Sequence, residues 1–126
     1  RALLAKLTPN VADISELAVA AAEAGADAVS VINTVVGLEV DLETGEPVLP
    51  RRYGGYSGAG ILPIALAKTD EIVRKTDIPV VAIGGINSAA DALKFFALGA
   101  VAVQVGTAQM EDPFAAAHVA RELTPA

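Results

Sequence analysis

Four apolar runs in this 126-residue chain each end in residues of a different kind, and the chemistry concentrates at those ends. The first run closes on Lys6-Leu7-Thr8-Pro9-Asn10, the second on Asn33-Thr34, the third on Gly84-Gly85-Ile86-Asn87 and the fourth on Gly106-Thr107. An unpaired ammonium in apolar surroundings is costly. Lys6 therefore reads as a counter-charge for a bound anion, or as a salt-bridge partner or snorkelling side chain at a strand end. Asn33 offers donors and acceptors together, which suits a ligand with an amide-like edge and equally suits loop capping. Gly84-Gly85 and Gly106-Thr107 lack the side-chain bulk that keeps main-chain N–H groups away from a phosphate. Each pair alone is a turn device, but two such pairs at neighbouring strand ends favour an anion. The glycine-dense segment Gly54-Gly55-Tyr56-Ser57-Gly58-Ala59-Gly60 would wrap a ring system or phosphate, or serve as a hinge.

Other chemistry is excluded by what the chain lacks. Without Cys there is no disulfide, thiolate zinc site or cysteine nucleophile, and no metal site is expected. The single His, His118, falls among alanines in a predicted helix, away from every strand end, and is expected to be structural. A net charge of -6 and 4% aromatic residues argue against nucleic acid, which rewards basic patches and stacking rings. The longest apolar stretches, such as 95–103, are far shorter than the roughly 20 residues of a membrane span. The opening Arg1-Ala2-Leu3-Leu4-Ala5-Lys6 is too short an apolar run for a secretory signal, so a cytoplasmic, truncated or processed chain is expected.

The elements that must position these residues follow from hydrophobic pattern. Leu3–Leu7, Ala28–Ile32, Pro79–Ile83 and Val101–Val105 are short continuous apolar runs, the pattern of parallel strands covered on both faces. A helix is predicted from Asp13, with Glu16 as capping-box partner, to a stop at Gly25. Others are predicted over Ile61–Lys75, from Ser88 with Asp91 as cap partner to before Gly99, and from Asp112-Pro113 onward. Strand and helix alternate four times, giving an α/β (βα)4 unit. Gly25–Val31 and Gly99–Val105 echo each other at an offset of 74 residues, as repeated βα pairs of a barrel would. The 28 residues from Asn33 to Gly60 far exceed an ordinary connection. A hairpin is predicted in their middle, where Val40–Leu42 and Pro47–Leu49 flank Glu43-Thr44-Gly45-Glu46.

Taken in order, these motifs resemble the carboxyl-terminal half of the dihydroorotate dehydrogenases, FMN-dependent (β/α)8 barrels of pyrimidine biosynthesis. The resemblance covers essentially all of residues 1–126 as a single domain: Leu4–Asn10, Val31–Thr34, Gly54–Gly58, Ile83–Ile86 and Gln104–Thr107. It implies the (βα)4 half of a TIM barrel, corresponding to strands 5 to 8, with parallel strands and a β-hairpin insertion after the second strand.

The same resemblance implies roles. Lys6 would stabilise negative charge on the flavin, Ile32 would lie near it, and Ser57, Gly58, Gly84, Gly85, Gly106 and Thr107 would cradle its ribityl chain and phosphate. Asn33 and Thr34 would hold dihydroorotate or orotate. The family commonly has Leu where this chain has Tyr56, and Pro-Ala where it has Ala59-Gly60. Leu38–Asp41 and the following hairpin look most like soluble bacterial and archaeal members, some of which pair with an iron-sulfur electron-transfer subunit; dihydropyrimidine dehydrogenases share much of the pattern. The family's first four strands, its Cys or Ser general base and further substrate asparagines have no counterpart here. The chain alone is therefore expected to be catalytically inactive as an oxidoreductase on the CH–CH bond. It would be a fragment, the partner of a separate N-terminal half-barrel, or a self-associating half closing a barrel about a twofold axis. The alternatives are a non-catalytic half-barrel scaffold, or a barrel binding another phosphorylated metabolite.

Overall fold

The computed structural model describes residues 1–124 of the chain. Strand β1 (Leu4–Leu7) leads through helix α1 (Ile14–Glu23) to β2 (Ala28–Val31), and a long excursion carries β3 (Val35–Gly37) and β4 (Gly54–Tyr56). After a single 3-10 turn at Ala59–Ile61 come α2 (Leu62–Lys75), β5 (Val80–Ile83), α3 (Ala89–Leu98), β6 (Ala102–Gln104), α4 (Ala108–Glu111) and α5 (Ala115–Leu123). The main sheet has order β1-β2-β5-β6 and every pairing is parallel. Each strand thus lies beside the next main-sheet strand in sequence, the arrangement of consecutive staves in a (β/α)8 barrel. The fold is the (βα)4 half of such a barrel, with a two-stranded insertion after the second strand.

Register separates the two faces. Leu7, Val31 and Ala82 share one row and Val29 and Val80 the next; all five are buried. They pack with Ile14 and Ala18 of α1, Ala65 and Ile72 of α2, Ala92 and Phe95 of α3 and Val119 of α5. The opposite face carries Leu4, Lys6, Ser30, Val81, Ile83, Ala102 and Gln104. In a closed barrel this is the inner face; here its helix-free side is open, and Leu4 and Gln104 are exposed. Ser30 is buried on it, and its Oγ is satisfied by donating to Gln104 Oε1 at 2.9 Å. Those two residues occupy equivalent places in the 74-residue echo.

Helix ends follow the expected physics with two corrections. Ser88 Oγ accepts from the Asp91 amide, and Gly99 ends α3 in the left-handed region at φ 104°. Asp13 caps α1, but it accepts from the Ser15 amide at 2.8 Å rather than completing a box with Glu16. Its other oxygen takes the Lys75 ammonium at 2.7 Å, tying α1 to the end of α2. That ammonium above all, helped by Ser15, holds the Asp13 carboxyl far below the usual carboxylate range.

The second correction concerns the chain after Thr107. The short α4 was not foreseen, and α5 opens at Ala115, with Phe114 rather than Asp112 at its cap. Asp112 still serves the entry, accepting from the Phe114 amide and lying 2.9 Å from His118 Nδ1.

The insertion also differs from its expected form. Its antiparallel ladder joins Val35–Gly37 to Gly54–Tyr56, at the ends of the excursion. The segment between has only the single bridge Val40↔Pro47, because proline brings no N–H to a ladder. Its Asp41–Glu46 turn is held by Asp41 Oδ1, which accepts from the amides of Glu43 and Thr44.

Candidate functional site

The carboxyl ends of all four parallel strands open onto one cavity of about 300 Å³. All ten residues singled out from the sequence line it: Lys6, Ile32, Asn33, Thr34, Ser57, Gly58, Gly84, Gly85, Gly106 and Thr107. Lys6 and Thr107, from the two outer strands of the sheet, face the same space. His118 lies outside it.

Each wall has a local cause. Lys6 stands on the open face of β1, and among the described residues no carboxylate pairs with it. It is the one titratable side chain among the described residues lining the cavity, and burial lowers its pKa even though part of the side chain reaches solvent. A site whose sole charge is a partly desolvated cation favours an anion. Beyond β2, the Ile32 amide donates to Ile83 O at 2.7 Å and the Asn33 amide to Leu7 O at 2.9 Å, so both residues are fixed from neighbouring strands.

The glycines are required by geometry. Gly84 and Gly85 turn the chain out of β5 at φ 143° and 74°. A Cβ on Gly84 would lie 2.7 Å from Ala65 Cβ, and one on Gly85 would lie 2.7 Å from the Leu62 main-chain nitrogen. Gly106 differs: a Cβ there would make only an ordinary contact, 3.8 Å from Ile83 Cδ1. Among the described residues, the main-chain hydrogen bonds of turns and loops include none donated by Gly84, Gly85, Gly106 or Thr107. All four residues line the cavity, so their N–H groups are candidate donors for a ligand.

The polar rim is tied together across the sequence. Thr107 Oγ1 donates to Ser57 Oγ at 2.9 Å, joining the end of the insertion to the loop after β6. Behind Gly84-Gly85, Asp91 Oδ2 accepts from the Asn87 amide and from Ser88 Oγ, which anchors the start of α3. Burial opposes ionisation of Asp91, but Lys94, Ser88 and Asn87 outweigh it and lower the pKa.

Sequence reasoning passed over several lining residues. Ile83 was legible from strand alternation, since it shares the open face with Lys6. Ile86 and Asn87 lie within the Gly84-Gly85-Ile86-Asn87 motif without an assigned role and Ile61 opens the predicted second helix, whereas Ala108 and Met110 sit on the unforeseen α4.

The family model described as dihydroorotate dehydrogenase matches residues 1–126. The chain is 52% identical over 120 residues to a protein of Trichlorobacter lovleyi named dihydroorotate dehydrogenase B (NAD(+)), catalytic subunit, covering 95% of this chain and 40% of that one. A protein of the same name from Bacillus thuringiensis is 47% identical, covering 94% of this chain and 38% of the relative. Dihydroorotate dehydrogenase A (fumarate) of Lactobacillus delbrueckii subsp. bulgaricus is 46% identical, again over 94% and 38%. The chain thus spans about two fifths of the length of these relatives. The match over the whole chain establishes that it belongs to the dihydroorotate dehydrogenase family.

Proposed function

We propose that this chain is the FMN- and orotate-binding half of a dihydroorotate dehydrogenase, corresponding to strands 5 to 8 of the barrel and serving pyrimidine biosynthesis in the cytoplasm. The observation that carries the reading is the convergence of bare glycine amides from two strand ends and a lone cation from a third on one cavity. The residues fit the cofactor. Gly84, Gly85, Gly106 and Thr107 would hold the phosphate through main-chain N–H groups, with Ser57 and Gly58 along the ribityl chain. Lys6 and Ile32 would lie against the ring, leaving Asn33 and Thr34 for the substrate's amide edges.

When bound, FMN supplies the acceptor for the hydride equivalent removed from dihydroorotate. The chain's own residues provide binding and electrostatics. Lys6 contributes a fixed positive charge that favours the more anionic state, a preorganised effect requiring no rearrangement during reaction. Asn33 orients the substrate ring, and the apolar side chains of Ile32, Ile61 and Ile83 displace water from the cavity wall. Proton removal needs a base within hydrogen-bond reach. Lys6 is assigned to the charge on the flavin, and among the described residues no carboxylate or His lines the cavity beside it, so we place the base outside this chain and expect the chain alone to be inactive.

The open inner face of the sheet and its free β1 and β6 edges would be covered by a complementary half-barrel. Two of the relatives described above are named catalytic subunits, which supports a separate electron-transfer subunit, of iron-sulfur type, as a further partner.

The test is a titration of the chain with FMN followed by orotate. Quenching of flavin fluorescence and a further change in flavin absorbance on adding orotate are expected. A chain that leaves FMN unbound at hundreds of micromolar would favour the scaffold alternative; binding of sugar phosphates without FMN would favour another barrel chemistry.

A further inference from the structure

We propose that Asn10, which does not line the cavity, is a positioning residue that sets affinity for the pyrimidine ligand by fixing the Asn33–Thr34 edge. The inference rests on the orotate reading above and extends it to a residue outside the site.

Asn10 lies in the loop after β1, and its side-chain amide is engaged at both ends. Nδ2 donates to Thr34 O at 2.9 Å and to Thr8 Oγ1 at 3.1 Å, while Oδ1 accepts from the Val36 amide at 2.9 Å. The Asn10 main-chain amide also donates to Thr8 Oγ1, at 3.2 Å, which holds the loop's own shape. One planar group therefore spans residues 34 and 36, where the chain leaves the main sheet and enters β3. Val35 pairs with Tyr56 in the β3–β4 ladder, and the Val36 amide is taken by Asn10 rather than by a strand.

Thr34 is confined from its other side as well. Its side chain sits against the bare face of Gly55, so closely that a Cβ there would lie 2.8 Å from Thr34 Cβ. With the Asn33 amide held by Leu7 O, the edge facing the cavity is fixed at three points, and Asn10 supplies the one that spans the turn. None of the Asn10 side-chain bonds reaches Gly84, Gly85, Gly106 or Thr107. Its influence should fall on the ring-binding end and leave the phosphate end intact.

The experiment compares the wild-type chain with Asn10→Ala and Asn10→Asp. Asp keeps an acceptor for Val36 but replaces the Nδ2 donor with an oxygen facing Thr34 O. FMN affinity is measured first, then orotate affinity on the FMN-loaded chain, with amide exchange followed at Val36. Losing two neutral hydrogen bonds that order the ligand edge should weaken orotate by about tenfold in Asn10→Ala. FMN affinity should change by less than about twofold, and Val36 should exchange faster. Asn10→Asp should lose orotate affinity while Val36 stays protected. Unchanged orotate affinity in both variants, or an equal loss of FMN and orotate, overturns the proposal. A wild-type chain that binds neither ligand instead removes the functional reading, and this inference with it.

Discussion

Gly106→Leu should abolish phosphate binding while leaving the fold intact, and the structure indicates why the two effects separate. A Cβ at Gly106 meets nothing closer than Ile83 Cδ1 at 3.8 Å, and both residues line the cavity. Gly106 is also absent from the glycines with positive φ, so a leucine can adopt its backbone conformation. The added side chain would then occupy the space in which, on the proposed reading, a phosphate would meet the amides of Gly106 and Thr107. Charge-assisted hydrogen bonds contribute about 1.5–3 kcal/mol each, so losing two removes roughly 3–6 kcal/mol. That corresponds to a fall in FMN affinity of about two to four powers of ten. Fluorescence titration measures the affinity, and thermal melting by circular dichroism measures the fold. Gly85→Ala is the contrasting variant: at φ 74°, with its Cβ 2.7 Å from the Leu62 nitrogen, it should lower the melting temperature itself. Backbone strain of this kind costs about 1–3 kcal/mol before the steric overlap is added. A folded Gly106→Leu chain that binds FMN with wild-type affinity would refute the assignment of the phosphate cradle.

Two further variants test the electrostatics. Lys6→Met should lower the reduction potential of bound flavin by on the order of 30 mV, through loss of the cation that favours the reduced, more anionic ring. Because burial lowers the Lys6 pKa, the same substitution should modestly stabilise the ligand-free chain, by less than about 1 kcal/mol in a urea titration at neutral pH. Asp13→Asn should destabilise the chain at neutral pH, and the difference from wild type should shrink in acid. The Asp13 pKa is depressed in the folded state, so its contribution is fully present above the unfolded value of about 3.9 and fades as pH falls toward the folded one. Urea midpoints for both proteins between pH 7 and pH 2 check this; a constant difference across that range would count against the Asp13–Lys75 tie.

Much of this site was legible in the sequence because parallel strands buried on their helix side are written as short apolar runs. The residues just past each run must then lie at the same end of the sheet. Lys6, Asn33, Gly84 and Gly106 come together for that reason, even though 100 positions separate the first from the last. The Ser88 cap and the Gly99 stop were equally readable, since each depends on local bonding within one turn. What escaped depends on tertiary neighbours. Gly54 and Gly55 have weak strand propensity, yet they form β4, where Thr34 packs against Gly55. Val40–Leu42 looked more strand-like but faces Pro47, which offers no ladder donor. Asp13 took its partner from a residue 62 positions away, which no local capping rule anticipates. Asn10 was visible as part of a motif, but only the folded chain shows that it bridges to Thr34 and Val36.

The most direct measurement is a comparison of FMN with riboflavin, which carries the same ring without the phosphate, by titration of the wild-type chain under identical conditions. FMN should bind at least one hundredfold more tightly if the amides of Gly84, Gly85, Gly106 and Thr107 receive the phosphate, since only that ligand brings them an anion. Equal affinity for the two, or binding of neither, would contradict it.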